Sequence, residues 1–102
     1  MPLVDDAIKR LTYELNSAKR LKYSGIKIIH GYGSSGTGGR IRVEVRKYLS
    51  RCVSRGMIKS FITGEALSIF DSATRDAFLA VPELRKDSDL ERHNNGVTVV
   101  IL

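Results

Sequence analysis

The sequence predicts a small α/β domain, and three observations carry that prediction. Two segments repeat apolar residues three or four positions apart, the spacing of one helix face. Three short runs rich in Ile, Val and Phe read as strands, and the last of them closes the chain. Between the first strand and the second helix stand five glycines in the nine residues from Gly31 to Gly39. With 102 residues and 42% hydrophobic content, the chain suffices for one domain with one modest core.

The first helix is predicted from about Val4 to Tyr23. Val4, Ala7, Ile8, Leu11, Leu15, Ala18 and Leu21 share a face. Asp5 and Asp6 suit the positive first turn, Lys19, Arg20 and Lys22 suit the last, and Ser24-Gly25 reads as a stop. Ile26 to His30 follows as a strand, apolar except for Lys27 before its closing histidine. A second helix is expected over about Gly39 to Ser54, with Ile41, Val45, Tyr48, Leu49 and Cys52 inward. Its other face is basic: Arg42, Arg46, Lys47, Arg51 and Arg55, ending at Gly56. Met57 to Thr63 reads as a second strand, parallel to the first through a right-handed crossover.

Beyond Gly64 the character changes. Ile69, Phe70, Ala73, Ala77 and Phe78 allow a short helix capped by Asp71 or Ser68 and ended by Pro82. Glu83 to His93 is dense in charge and reads as an exposed, mobile loop or short helix. Asn94-Asn95-Gly96 signals a turn, and Val97 to Leu102 is the clearest strand.

The net charge of +6 is unevenly spread. Residues 1–55 hold twelve Lys/Arg against four Asp/Glu, a net +8, while residues 56–102 hold five against seven, a net −2. The excess positive charge thus falls in the half that carries the glycine loop, which favours a polyanionic partner. No apolar run reaches the roughly 18 residues of a membrane span, and the N-terminus lacks a signal-peptide layout. One cysteine and two histidines argue against an internal disulfide and a structural zinc. A cytoplasmic location and no membrane partner are expected.

Strand, glycine loop and helix start together form a recurrent anion site. Glycines let main-chain N–H groups approach a phosphate, and the helix's first turn adds partial positive charge. Gly31-Tyr32-Gly33-Ser34-Ser35-Gly36 matches the dinucleotide pattern literally. Yet the acidic residue due about 20 positions on is lacking, since Arg51 stands there. The Walker A pattern fails as well, because Gly39-Arg40 stands where Lys and Ser/Thr are needed.

His30-Gly31-Tyr32-Gly33 after a strand resembles the H-G-x-G motif of the Smr (small MutS-related) domain. The Gly-Thr-Gly stretch into Arg40-Ile41-Arg42, the spacing at Met57-Ile58-Lys59-Ser60-Phe61, and the terminal Asn95 to Leu102 agree with it. The resemblance spans about Val4 to Phe61 and Asn95 to Leu102. It implies a two-layer βαβαββ sandwich similar to the C-terminal domain of translation initiation factor 3. Two departures are expected from it: the first strand with its L-D-x-H motif is missing, and Gly64 to Asn94 is an insertion. The missing strand would leave an exposed sheet edge.

The resemblance implies binding of DNA or RNA and nicking of structured nucleic acid. His30 is the candidate catalytic acid or base, as imidazole titrates near neutrality. Gly31, Tyr32, Gly33, Gly36, Gly38, Arg40, Arg42, Arg46 and Lys47 are the candidate phosphate and nucleic-acid contacts, with Tyr32 suited to stacking on a base. The Arg42, Arg46, Arg51 stripe reads as a phosphate-tracking face or a solvated one. His93 is a candidate second histidine, more simply a loop residue. No metal ligand set is evident, and a need for Mg²⁺ or Mn²⁺ stays open. So does a contrasting reading, an inert interaction module that self-associates or pairs through the sheet edge. A third reading has the loop hold a small phosphorylated ligand.

Overall fold

A computed structural model describes residues 2–31 and 36–102. The chain runs α1 (Pro2–Arg20), β1 (Gly25–Ile29), α2 (Gly36–Ser54), β2 (Ser60–Thr63), a 3₁₀ turn (Gly64–Ala66), α3 (Ser72–Ala80), a second 3₁₀ turn (Pro82–Lys86) and β3 (Val97–Ile101). The three strands form one sheet in the order β1-β3-β2. Both outer strands are antiparallel to β3, with Ile28 opposite Thr98 on one side and Ile62 opposite Val99 on the other. β1 and β2 do run in the same direction, but β3 separates them. The last strand to be made is therefore the central one, and all five of its residues are buried.

Alternation along β3 sends side chains to two separate cores. Val100 joins Leu11, Leu15, Val45, Leu49, Cys52 and Ile58 beneath α1 and α2. Val99 and Ile101 turn the other way and join Ile62, Leu67, Ala77, Phe78 and Leu84. The expected two-layer sandwich is thus corrected: residues 64–94 cover the second face of the sheet. The sequence withheld this because the charged run 83–93 hides its few apolar anchors, of which Leu84 is buried.

The same run, expected to be exposed and mobile, is pinned at several points. Lys27 of β1 bonds Asp87 at 2.9 Å and Asp89 at 2.6 Å. Glu91 accepts from the Ile69 N–H and the Ser68 hydroxyl. Asn94 donates to Asp89. Burial works to lower the Lys27 pKa, but bonds to Asp89 and Asp87 outweigh it and hold the amine above its ordinary value. Gly64 fits only as glycine, because a Cβ there would lie 1.9 Å from the Asn94 carbonyl oxygen.

Helix ends follow local chemistry. Gly56, at φ +72°, closes α2: its N–H bonds the Val53 carbonyl and the next N–H, of Met57, reaches back to Cys52. α1 ends the same way one turn earlier than expected. The left-handed residue there is Lys22, φ +64°, and Gly25 instead opens β1. Asp71 caps α3 by accepting from the Thr74 N–H at 2.8 Å, as the sequence suggested. No described helix is long and apolar enough to cross a membrane.

Candidate functional site

His30 follows the last residue of β1 and turns its ring to the α2 side of the sheet. Its main-chain N–H and that of Gly31 both donate to the Gly96 carbonyl at 3.0 Å, which fixes the strand-to-loop junction against the start of β3. Gly31 sits at φ +86°, a left-handed conformation that favours glycine, so the first glycine of the motif has a backbone reason. Its N–H is already engaged by Gly96 and is not directed to a ligand here. Tyr32 and Gly33 lie outside the described residues. Gly36 and Gly38 fall in the first turn of α2.

The imidazole is held at both nitrogens. Nδ1 lies 3.0 Å from the Gly31 carbonyl oxygen and Nε2 lies 2.9 Å from the Thr98 hydroxyl. Thr98 is fully buried on β3 and also accepts from Arg46 Nε at 3.1 Å. Burial pushes the His30 pKa below its ordinary value. The bond to the Gly31 carbonyl opposes that, and the positive charges of Arg46 and Arg42 add to it. The ring is therefore neutral at physiological pH.

Arg46 differs from its expected role on a phosphate-tracking stripe. Its side chain is only 17% exposed and grips Glu65 in a fork, at 2.9 and 2.8 Å. It also donates to the Val97 and Asn95 carbonyls at 3.2 and 3.4 Å. Every guanidinium nitrogen is thus engaged inside the protein, joining α2, β3 and the Gly64–Ala66 turn. Burial works to raise the Glu65 pKa, but the Arg46 hydrogen bonds outweigh it and hold the carboxyl below its ordinary value. Of the remaining cations, Arg42 is half-buried and near enough to His30 and Glu65 to bias both. Arg40 is exposed, and Lys47 is exposed with a 3.4 Å pairing to Glu44. Arg51 lies over the Tyr48 ring at 5.8 Å.

The sequence singled out His30 and the arginines but gave no sign of Thr98 or Glu65 beside them. The only available signal was that Glu65 is the first acid after Glu44, in a stretch that carries five Lys/Arg between them. An open cleft of about 460 Å³ begins at His30, walled by Leu11, Ile28, Ile41 and Val45 and edged by Arg10 and Glu14. His93 lies on the exposed turn after Glu91, where Nδ1 meets the Glu65 carbonyl at 3.3 Å. Cys52 is buried in the core, as its helix position predicted. Among the described residues no group of three or more His, Cys, Asp or Glu is placed to hold a metal.

A histidine just after a strand, a glycine following it and a basic helix behind them are what the Smr resemblance implies. The family model of the Smr domain matches residues 3–75, more than half of the chain. The chain belongs to the Smr domain family. That match runs from α1 through β2 into the start of α3, so it enters the segment from Gly64 that the sequence reading set apart as an insertion. It stops before β3, although β3 supplies Thr98 to the Smr motif's histidine. No curated protein and no solved structure matches the chain. Smr domains generally bind or nick nucleic acid.

Proposed function

We propose that this Smr domain binds DNA or RNA through the segment from His30 to Arg42 and the N-terminal half of α2, and nicks structured nucleic acid there. The observation that carries the reading is the junction itself. β1 delivers a neutral imidazole to the start of the glycine loop, and α2 begins directly behind the loop with no acidic residue in its first turn. The N–H groups of Gly36 and Gly38 at the helix start, with Gly33 before them, offer hydrogen bonds to a phosphate. Arg40, Arg42 and Lys47 supply charge along the same helix, and Tyr32 stacks on a base.

Phosphodiester cleavage needs charge stabilisation at the phosphorus and a proton for the leaving oxygen. In this reading Arg40 and Arg42 serve the first need, and the neutral His30 ring hydrogen-bonds the leaving oxygen. Solvent supplies both the attacking water and the proton that the leaving oxygen takes up. Arg46 holds the frame rather than the phosphate. The test is cleavage of labelled branched and single-stranded DNA and RNA, with and without Mg²⁺ or Mn²⁺, beside His30→Ala. Cleavage lost in the variant supports the reading. Binding without cleavage by either protein removes the nicking step, and no binding at low salt removes the whole proposal.

A second reading, a module that pairs through its sheet edge, draws on a separate observation. His30 and Ser24 bond to β3, which leaves the main-chain groups of Gly25, Lys27 and Ile29 directed outward from the sheet. Exposed apolar side chains flank that edge: Ile29, Tyr13, Leu21 and Tyr23. Sedimentation of the pure chain tests it. A concentration-dependent dimer favours the edge, and a monomer at all concentrations disfavours self-association.

A further inference from the structure

We infer that Thr98, itself held by Arg46, sets the tautomer of His30, keeping the ring proton on Nδ1 so that the imidazole meets a bound phosphate as a hydrogen-bond donor rather than as a base. The inference deepens the nucleic-acid reading of this site and rests on it for the word phosphate; the tautomer stands on the protein alone.

The argument is a count of donors and acceptors. The Gly31 carbonyl only accepts, so the 3.0 Å contact from Nδ1 requires a proton on Nδ1. An arginine Nε–H only donates, so Arg46 takes one lone pair of the Thr98 hydroxyl oxygen. The Thr98 hydroxyl then has its own proton to place, in a position without solvent. The acceptor beside it is His30 Nε2 at 2.9 Å, provided that nitrogen is bare. Arg46 to Thr98 to His30 to Gly31 is therefore one directed chain of donors, and each link fixes the next.

The alternatives break it. A proton on Nε2 alone puts two donors onto Thr98, strands the buried hydroxyl proton and loses the bond to Gly31. Protonating both nitrogens strands the same hydroxyl and adds a positive charge facing Arg46 and Arg42, with Glu65 committed to the Arg46 fork. The bond to Gly31 is the outward one, made to the loop. A phosphate or leaving oxygen entering there competes with a carbonyl for an N–H. Thr98 is thus a positioning residue, acting through His30 and not on the substrate.

Isotope-labelled histidine in the full chain tests this by long-range proton–nitrogen correlation at neutral pH. The expected spectrum shows His30 with a protonated Nδ1 and a bare Nε2. Thr98→Val keeps the shape and removes the hydroxyl, and is expected to bring in a population protonated at Nε2. Thr98→Ser is expected to restore the parent pattern. A parent His30 protonated at Nε2 overturns the inference, as does a folded Thr98→Val with the parent's ring signals. Should Thr98→Val not fold, the parent spectrum and Thr98→Ser still decide. Titrating in a single-stranded oligonucleotide is expected to move the Nδ1 proton signal most. A protonated Nδ1 that ignores every nucleic acid overturns the site's reading and leaves the Thr98 assignment in place.

Discussion

Lys27 on β1 and His30 just past its end stand three residues apart and point to opposite faces of the sheet. Lys27 is charged and answered by two carboxylates, Asp87 and Asp89, so its face closes on itself. His30 is neutral and has two arginines for neighbours, with one carboxylate, Glu65, bound to Arg46. One face spends its charges on joining segments distant in sequence. The other gathers positive charge around an uncharged ring and leaves Arg40 and Lys47 in solvent. Charge that is fully answered holds a fold together, whereas charge in excess is available to a partner.

The largest effect expected is on the closed face. Gly64→Ala drives a Cβ into the Asn94 carbonyl and the Val97 side chain, and backbone has little room to yield. A loss of about 3 kcal/mol is expected in denaturant melts. A variant as stable as the parent would mean that residues 64–94 are not seated on the sheet as described.

Arg46→Ala comes next and asks whether one arginine of the open face belongs to the structural class. It strips donors from Thr98, Glu65 and two carbonyls, so a loss of about 2–3 kcal/mol is expected. Lys27→Met leaves two carboxylates facing each other at a partly exposed site, for a smaller loss of about 1–2 kcal/mol.

The two faces also answer pH in opposite windows. The folded His30 pKa lies below 6.5, so its contribution is present above that pH and is lost as pH falls through the folded value. Glu65 adds a loss of the same sign below its ordinary value of 4.5. Lys27 is raised above 10.5, so its contribution is present below that pH and is lost as pH rises through the folded value. Melting temperatures across pH should fall at both ends. Lys27→Met should flatten the alkaline limb and, because Lys27 is what chiefly holds the Asp89 pKa down, soften part of the acid limb as well.

The sequence made the open face more legible than the closed one. Apolar spacing located both long helices to within three residues at each end, and glycine, histidine and basic helix marked the site. Those signals are local. What stayed hidden depends on residues brought together from afar. The central place of β3 follows from pairing two strands that end 68 and 34 residues before it begins. Arg46 reads as one more basic helix residue until Glu65 and Thr98 arrive beside it. Leu84 and Lys27 look like a loop residue and a strand defect until the charged run folds back over the sheet.

The central claim is that the exposed cations of α2, and not the committed ones, meet nucleic acid. The most direct measurement is binding of labelled branched and single-stranded oligonucleotides across a salt series, by the parent and by Arg40→Ala with Lys47→Ala. The account predicts steep salt dependence in the parent. The double variant should bind more weakly, with the slope of log affinity against log salt reduced by about one per cation removed, and should melt like the parent. Parental affinity and slope in the double variant would contradict it.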